Sequence, residues 1–364
     1  MNILYLSHLS GASYAGPTYS VPKQIEAQSK IDNVFWYNAT VSEKTDWKSL
    51  PYYHDIAEYP DESIYKLPEP FNHPDIIVVE LFYNMAKSNL RKELVKGDIP
   101  YIIIPRGELT AQAQARKSLK KKIANILFCK RYAKKAAAIQ YLTKQEKDDS
   151  GIKWNKNAII IPNGINLPDK KKQTFSVDGV KCISIGRIEP YQKGLDLLVE
   201  ACDTIKNDLR TAGVCVTICG PDKEGKLNSL KDFVEQKQIG DIISFHDAVY
   251  GQEKEDMLLA SDVFLIPSRF EGHPMALIEA LSYGLPCVAT TGSNMREKIE
   301  DFDAGWTADC NTESLKSAVT DMILQHSFYS KMNGALRLAE NYKWDKLADI
   351  AHDEYSSLKE NYIP

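Results

Sequence analysis

Short apolar runs recur along this chain, each followed by a segment of helical length whose apolar positions fall three or four residues apart. In the first half the runs are Ile3–Ser7, Asn33–Tyr37, Ile76–Glu80, Tyr101–Pro105, Ala138–Leu142 and Ala158–Ile161. A second series is Lys181–Ile185, Val214–Cys219, Ile242–His246, Val263–Pro267 and Pro286–Thr290. Strand-length runs alternating with helix-length segments predict βαβ units and parallel sheets. Helical spacing is plainest from Leu195 to Leu209 and from Met275 to Ser282. Between the two series, Asn163-Gly164 leads into a polar, lysine-rich stretch, Asp169 to Gln173, which reads as a linker. The pattern predicts two α/β domains, residues 1–168 and 175–341, with a cleft between them. Ligands of open α/β sheets bind beyond the carboxyl ends of the strands, so the chemistry is expected in loops that follow strands.

Composition narrows the class without changing it. The 364 residues are 43% apolar and 26% charged, and a chain of that length suits two ordinary domains. No run approaches the roughly 18 apolar residues needed to cross a bilayer. Ile3 to Leu6 is too short for the core of a signal peptide, so a cytosolic protein is expected. Charge is uneven: residues 1–170 carry 24 Lys/Arg against 18 Asp/Glu, and the remainder 21 against 31. A basic front and an acidic back suggest domains with different partners. The seven cysteines are scattered, with Cys182, Cys215, Cys219 and Cys287 in apolar runs, and read as reduced structural residues. The Asn38-Ala39-Thr40 sequon carries no weight without a secretory signal.

The densest chemistry follows the run Val263–Pro267: Ser268-Arg269-Phe270-Glu271-Gly272-His273-Pro274-Met275-Ala276-Leu277-Ile278-Glu279. Pro274 suits the first turn of a helix, and Gly272 lets backbone approach a ligand. The first N–H groups of that helix, on Met275, Ala276 and Leu277, would face an anion. Glu271 in the loop and Glu279 in the helix are then two acceptors at different depths of one pocket, suited to sugar hydroxyls. Glu271 and Glu279, eight apart with Gly272 and Pro274 between, resemble the E-x7-E signature of retaining glycosyltransferases of the GT4 type. The resemblance implies the GT-B fold, with Glu271 on the donor sugar, Glu279 on the ribose, and the backbone of Gly272, His273, Pro274, Met275, Ala276 and Leu277 against sugar and diphosphate.

A second element, Gly186-Arg187-Ile188-Glu189-Pro190-Tyr191-Gln192-Lys193-Gly194, follows the run Lys181–Ile185. Arg187 and Lys193 offer two cations where a leaving diphosphate needs its charge neutralised. The element is similar to the family's G-R-x…K-G, whose Arg and Lys bind that diphosphate. Further matches run along the chain. Ile161 to Ile165 resembles the crossover into the second domain, Cys219-Gly220-Pro221 the strand-end glycine turn, and Phe245 to Val249 the base-binding stretch, with Ala248 and Val249 there. Trp344 resembles the start of the final helix, about 342–364, which returns to the first domain. Pro105-Arg106-Gly107-Glu108-Leu109 resembles a turn of polysaccharide-type members. One departure is the loop Gly11 to Thr18, which has only Gly16 where many members have two glycines. Another is the acceptor side, where many members have a histidine and this chain has Glu80 and Arg106. Glu80, Arg106 and Glu108 are the acceptor-side residues, with a helix-capping role left open for Glu108.

Several patterns are set aside. Gly11 to Thr18 nearly spells a P-loop, but Pro17 replaces its lysine. Asp301-Phe302-Asp303 matches a metal-binding D-x-D but reads as a surface turn, and no His/Cys cluster has metal spacing. His8, His246 and His273 read as packing or capping residues. The segment Ala111 to Lys135 holds Arg116, Lys117, Lys120, Lys121, Lys122, Lys130, Arg131, Lys134 and Lys135 and no acid. With Leu119, Ile123, Ile126 and Leu127 near one stripe, it reads as a basic amphipathic helix for an anionic membrane, at about 1 kcal/mol per basic residue. A solvated helix is the plainer alternative, and sparse aromatic residues argue against nucleic acid.

The resemblance thus implies an α/β GT-B protein, two Rossmann-like domains facing each other across a cleft. It implies retaining transfer from a nucleotide diphosphate sugar, UDP-sugar favoured and GDP-sugar possible, with no metal or other cofactor. The acceptor is expected to be a lipid-linked glycan in bacterial surface polysaccharide synthesis: capsule, O-antigen or exopolysaccharide. The location expected is the cytoplasmic face of the plasma membrane, held through Arg116–Lys135. Glu271, Arg187 and Lys193 are expected to carry the chemistry. A nucleotide-sugar epimerase and a non-catalytic membrane scaffold remain open as alternatives. A glycosidase would have no need of Arg187 and Lys193.

Overall fold

The computed structural model of the chain describes residues 1–12, 16–115, 118–222, 225–325 and 327–362, without the side chains of residues 118–120. The chain divides into two compact units, Met1–Gly164 with Trp344–Pro364, and Ile165–Lys343.

The first unit is built on seven parallel strands, β1 (Asn2–Ser7), β2 (Asn33–Asn38), β3 (Tyr53–Asp55), β4 (Ile76–Glu80), β5 (Tyr101–Ile104), β6 (Ala138–Tyr141) and β7 (Ala158–Ile160). They lie in the order β3-β2-β1-β4-β5-β6-β7. The second unit has β8 (Val180–Ile185), β9 (Val214–Cys219), β10 (Ile243–His246), β11 (Val263–Ile266), β12 (Cys287–Thr290) and β13 (Gly305–Ala308), in the order β10-β9-β8-β11-β12-β13. Both orders turn back at the first strand of their unit, the doubly wound arrangement of Rossmann-like sheets. Strands covered on both faces read as continuous apolar runs, and here alternate residues feed opposite cores. Leu4, Leu6, Ile77 and Val79 enter one core of the first unit, and Ile3, Tyr5, Ile76 and Val78 the other. In the second unit Val216, Ile218, Val263 and Leu265 enter one core, and Ile183, Cys219, Phe264 and Ile266 the other.

Two strands escape the apolar pattern, β3 and β13. Both are edge strands of three or four residues. In β3 His54 stacks on Phe35 with ring centroids 4.2 Å apart, so an aromatic contact stands in for aliphatic burial. The helix expected from Leu195 to Leu209 is two, Leu195–Thr204 and Lys206–Thr211, because Ile205 leaves helical geometry. The stretch Asp169 to Gln173 belongs to the second unit. Lys172 is buried there, with Nζ 3.1 Å from Asp262 Oδ1 and its N–H donating to the Tyr283 carbonyl. Cys215 is exposed, pointing outward from β9 between the buried Val214 and Val216.

The final helix, Trp344–Glu360, completes the first unit. Its Leu347, Ala351 and Tyr355 enter the core beside β1, and the Tyr355 hydroxyl donates to Gln140 Oε1 at 2.6 Å. Its His352 joins the Met1 amine and Gln28 around the buried Asp32 carboxylate.

The three residues expected on the acceptor side are part of this unit's framework. Arg106 Nε lies 2.7 Å from Glu80 Oε2, and both side chains are almost fully enclosed, at 4% and 0% exposed. The same guanidinium donates to Asn163 Oδ1, Gln24 Oε1 and Ser20 Oγ, joining four segments. Glu108 accepts the N–H groups of Phe82 and Tyr83 and so caps the helix Tyr83–Lys87. Glu146 accepts the N–H groups of Gly107 and Leu142. Burial pushes the carboxyls of Glu108 and Glu146 above the usual range, partly offset by those N–H donors. The turn of residues 105–109 is thus held by its own polar groups.

Arg106→Met would leave the Glu80 carboxylate buried without its cation, an expected loss of about 3–5 kcal/mol in urea unfolding. The double variant Glu80→Gln with Arg106→Met should recover part of it, and a loss under about 1 kcal/mol in the single variant would show that the pair is dispensable.

Candidate functional site

Beyond the carboxyl ends of β8 and β11, within the second unit, two loops enclose a cavity of about 200 Å³. Its lining includes Gly186, Arg187 and Lys193 from the loop after β8, Ser268, Glu271, His273 and Pro274 from the loop after β11, and Met275 and Ala276 from the start of the helix that follows it. The two elements that stand out in the sequence therefore meet at one place. The volume is below the roughly 300–1,000 Å³ of a whole small-molecule site.

Lys193 Nζ sits 2.7 Å from Glu271 Oε1 on the cavity wall. Ser268 Oγ donates to the same oxygen at 2.6 Å, and Asn294 Nδ2 donates to the Glu271 carbonyl. Glu271 is thereby fixed by three partners from three strand-end loops. Arg187 is exposed, and among the described residues its guanidinium makes one long contact, 3.4 Å to Gln192 Oε1, which leaves it able to turn toward an anion. Glu279 lies outside the cavity lining and accepts from Lys254 of the helix Gly251–Ala260.

The helix Met275–Ser282 has the bounds its spacing predicts, with Pro274 just outside its first turn. Pro274 precedes it with φ −84° and ψ 68°, and no side chain caps its first turn. The Met275 N–H is used by the His273 carbonyl at 2.9 Å. The first-turn donors left toward the cavity end are those of Ala276 and Leu277. No acidic residue occupies the first turn to neutralise its positive end.

Close backbone approach builds this arrangement. A Cβ on Gly194, where φ is +63°, would fall 1.8 Å from the Pro267 carbonyl oxygen. A Cβ on Gly220 would fall 1.6 Å from the Gly186 carbonyl oxygen. Gly220 therefore acts by letting the loop after β9 lie against Gly186, and it does not line the cavity.

Other residues expected to touch the donor lie elsewhere. Gly16 is in the first unit, preceding the helix Pro17–Gln28, and nothing near it demands a glycine. Residues 13–15 of its loop are outside the described residues. Val249 is buried in the core with Leu258 and Phe264, and neither it nor Ala248 lines the cavity. Leu277 is fully buried, so only its N–H is in play. Gly272 has open space about its Cα. Asp303 of the D-x-D pairs with Lys331 at 2.7 Å, as a surface turn would.

Sequence reading passed over Arg269, Asp196, Ser268, Asn294 and Lys254. Ser268 and Arg269 lie within the motif loop itself. Asn294 and Lys254 carry no local signal, because only the fold brings them to Glu271 and Glu279.

The basic segment is helical over Ala111–Ala115 and again, without a break, from Ser118 to Lys135, where a π-helical turn Asn125–Cys129 sits between Ser118–Ala124 and Lys130–Lys135. A π turn holds an extra residue, which shifts the register of the helix after it. Cys129, Tyr132 and Ala133 point into the core, while Ile123, Ile126 and Leu127 are 53%, 77% and 71% exposed. Lys122, Lys130, Arg131, Lys134 and Lys135 are exposed around them. Residues 116 and 117, and the side chains of Leu119 and Lys120, lie outside the described residues. No described helix is long and apolar enough to cross a membrane.

Gly194→Ala should destabilise the second unit by roughly 2 kcal/mol or more, since both backbone conformation and space oppose a methyl group. Urea unfolding measures this, and an unchanged midpoint would show that the loops can part without cost.

Residues 167–338 match the family described as Glycosyl transferases group 1. A protein of Escherichia coli (strain K12) named as the colanic acid biosynthesis glycosyltransferase WcaL is 32% identical over 133 residues, covering 35% of this chain and 32% of that one. Mannosylfructose-phosphate synthase of Agrobacterium fabrum (strain C58) is 28% identical over 184 residues, covering 49% and 40%. The chain spans about a third of the length of the curated relatives it first matches. Among solved structures, Anabaena HepE in complex with UDP superposes with a TM-score of 0.71 at 16% identity, covering 98% of this chain and 100% of that one. The lipopolysaccharide outer core galactosyltransferase WaaB, in its apo form, superposes with a TM-score of 0.72 at 14% identity, covering 98% and 99%. These likenesses confirm the fold class read from the sequence. Residues 167–338, nearly all of the second unit, thus match the group 1 glycosyltransferases, and the whole chain has the GT-B fold of these solved structures.

Proposed function

We propose that the chain transfers a sugar from a nucleotide diphosphate sugar, a UDP-sugar in preference to a GDP-sugar, to a hydroxyl of a glycan acceptor, with retention at the anomeric carbon and without metal. The observation that carries the reading is the cavity lined jointly by Arg187, Lys193, Glu271 and the start of the helix Met275–Ser282. Two cations and unpaired helix N–H groups suit a diphosphate, and a carboxylate held beside them suits sugar hydroxyls. HepE was solved with UDP and with UDP and glucose, which supports a UDP-sugar.

In this mechanism Glu271 orients the donor sugar and Glu279 the ribose. The bond from the anomeric carbon to the diphosphate oxygen breaks, and the acceptor oxygen bonds to that carbon on the same face. The acceptor's proton passes to the departing phosphate oxygen. Arg187, Lys193 and the N–H groups of Ala276 and Leu277 stabilise the charge that develops there. Glu271 is held by Lys193 and Ser268, so its carboxylate is oriented before the sugar arrives.

The acceptor is proposed to be a lipid-linked glycan of bacterial surface polysaccharide synthesis, met at the inner face of the plasma membrane. The relative named for colanic acid biosynthesis supports that setting. So does the exposed group of Ile123, Ile126 and Leu127 among lysines.

A thermal-shift screen of nucleotides and nucleotide sugars, with and without magnesium, tests the donor site. A ligand at 100 times its dissociation constant stabilises by about 2.7 kcal/mol. Selective stabilisation by UDP or GDP without magnesium is expected, and Glu271→Ala should cut turnover at least ~100-fold with little change in melting temperature. No response to any nucleotide diphosphate, or near-normal turnover of the variant, would reject the reading. For the membrane, co-sedimentation with anionic liposomes should be lost both in Ile126→Asn with Leu127→Asn and in Lys122→Glu with Lys130→Glu. Retained binding in both would remove the membrane from the proposal.

A further inference from the structure

Arg269 lies two residues before Glu271, yet its guanidinium turns away from the cavity and back onto the other loop. Nη1 and Nη2 donate to Asp196 Oδ1 and Oδ2 at 2.7 and 2.8 Å, a two-pronged pair. Nη1 also donates to the Tyr191 carbonyl at 2.8 Å, and the guanidinium carbon stands 4.4 Å from the centre of the Tyr191 ring. The Arg269 N–H donates to the Gln192 carbonyl at 2.9 Å. Every one of these contacts crosses from the loop bearing Glu271 to the segment that contains or borders Lys193. Asp196 lies in the first turn of the helix Leu195–Thr204, so the loop is tied to a rigid element. The carbonyl before Arg269 is held in turn by Thr290 Oγ1.

We infer that Arg269 and Asp196 form a clamp that fixes the distance between the cations of one loop and the carboxylate of the other, making Arg269 a positioning residue for the diphosphate; this rests on the donor site proposed above. A site that must hold phosphate with one loop and sugar with another gains from loops that do not move separately. Arg269 does so from outside the cavity, where its charge is already matched by Asp196 and is not offered to the ligand. The geometry needs a planar fork and a stacking face, so lysine is a poor replacement.

The test is calorimetric titration with UDP, GDP and the matching monophosphates, on the wild type, Arg269→Met, Arg269→Lys, Asp196→Asn and the double variant Arg269→Met with Asp196→Asn. Arg269→Met and Asp196→Asn are each expected to weaken the diphosphate about 10-fold, and Arg269→Lys not to restore it. The monophosphate should be affected less, and the double variant should be no weaker than the worse single one. A role confined to stability would lower the melting temperature and the fraction of active protein while leaving the ratio of diphosphate to monophosphate affinity unchanged. That unchanged ratio, or losses that add in the double variant, would overturn the inference. Asp196→Asn preserves shape and serves if Arg269→Met fails to fold. If the wild type binds neither diphosphate, the donor site itself is wrong, and amide hydrogen exchange then decides the clamp: faster exchange over residues 187–193 in Asp196→Asn supports it, and unchanged exchange rejects it.

Discussion

The bond between Lys193 and Glu271 exists because bare backbone passes against bare backbone beside it. Gly194 lets the turn after Lys193 press on the Pro267 carbonyl, and Gly220 lets a third loop press on Gly186. With any side chain at these points the loops after β8 and β11 would stand apart, and a lysine and a glutamate 78 residues distant in sequence would not come within hydrogen-bonding distance. The site's chemistry thus hangs on two places where nothing protrudes. Parallel strands deliver all these loops to the same edge of the sheet, and the glycines set how tightly they converge.

That dependence explains what the sequence discloses and what it hides. The sheets are legible because parallel strands are buried on both faces and must be nearly continuous in apolar residues. The strands that fail this rule, Tyr53–Asp55 and Gly305–Ala308, lie at sheet edges, where His54 and Gly305 are tolerated. The cavity's principal residues are legible because they fall in two short motifs, each behind a strand. Asn294 and Lys254 are illegible, since their partners are set by tertiary folding alone. The polar stretch about Lys172 misleads for a related reason: hydropathy scores the ammonium and does not see Asp262 waiting beneath it.

The first unit teaches a different lesson about charged residues at strand ends. Glu80, Arg106 and Glu108, expected on the acceptor side, each also serve the protein's own framework. A strand end exposes backbone donors and acceptors, and a buried one must be satisfied from within. Glu108 and Glu146 meet that need by accepting N–H groups, and Arg106 by joining Glu80 to Asn163, Gln24 and Ser20. Composition cannot separate a carboxylate that serves a substrate from one that serves the chain. Only the atoms around it do so.

The final helix has a consequence for how the protein is made. Tyr355, Leu347 and Ala351 belong to the core that β1 opens, so the first unit draws its two ends from opposite extremes of the chain. A chain emerging from a ribosome presents the first strands early and the last helix only after the whole intervening unit has been translated. The second unit, continuous from Ile165 to Lys343, can close while the first still exposes the face that Tyr355 will cover. All seven strands of the first sheet are made before the second unit begins, so what the first unit lacks during that wait is the helix that covers one face of its sheet.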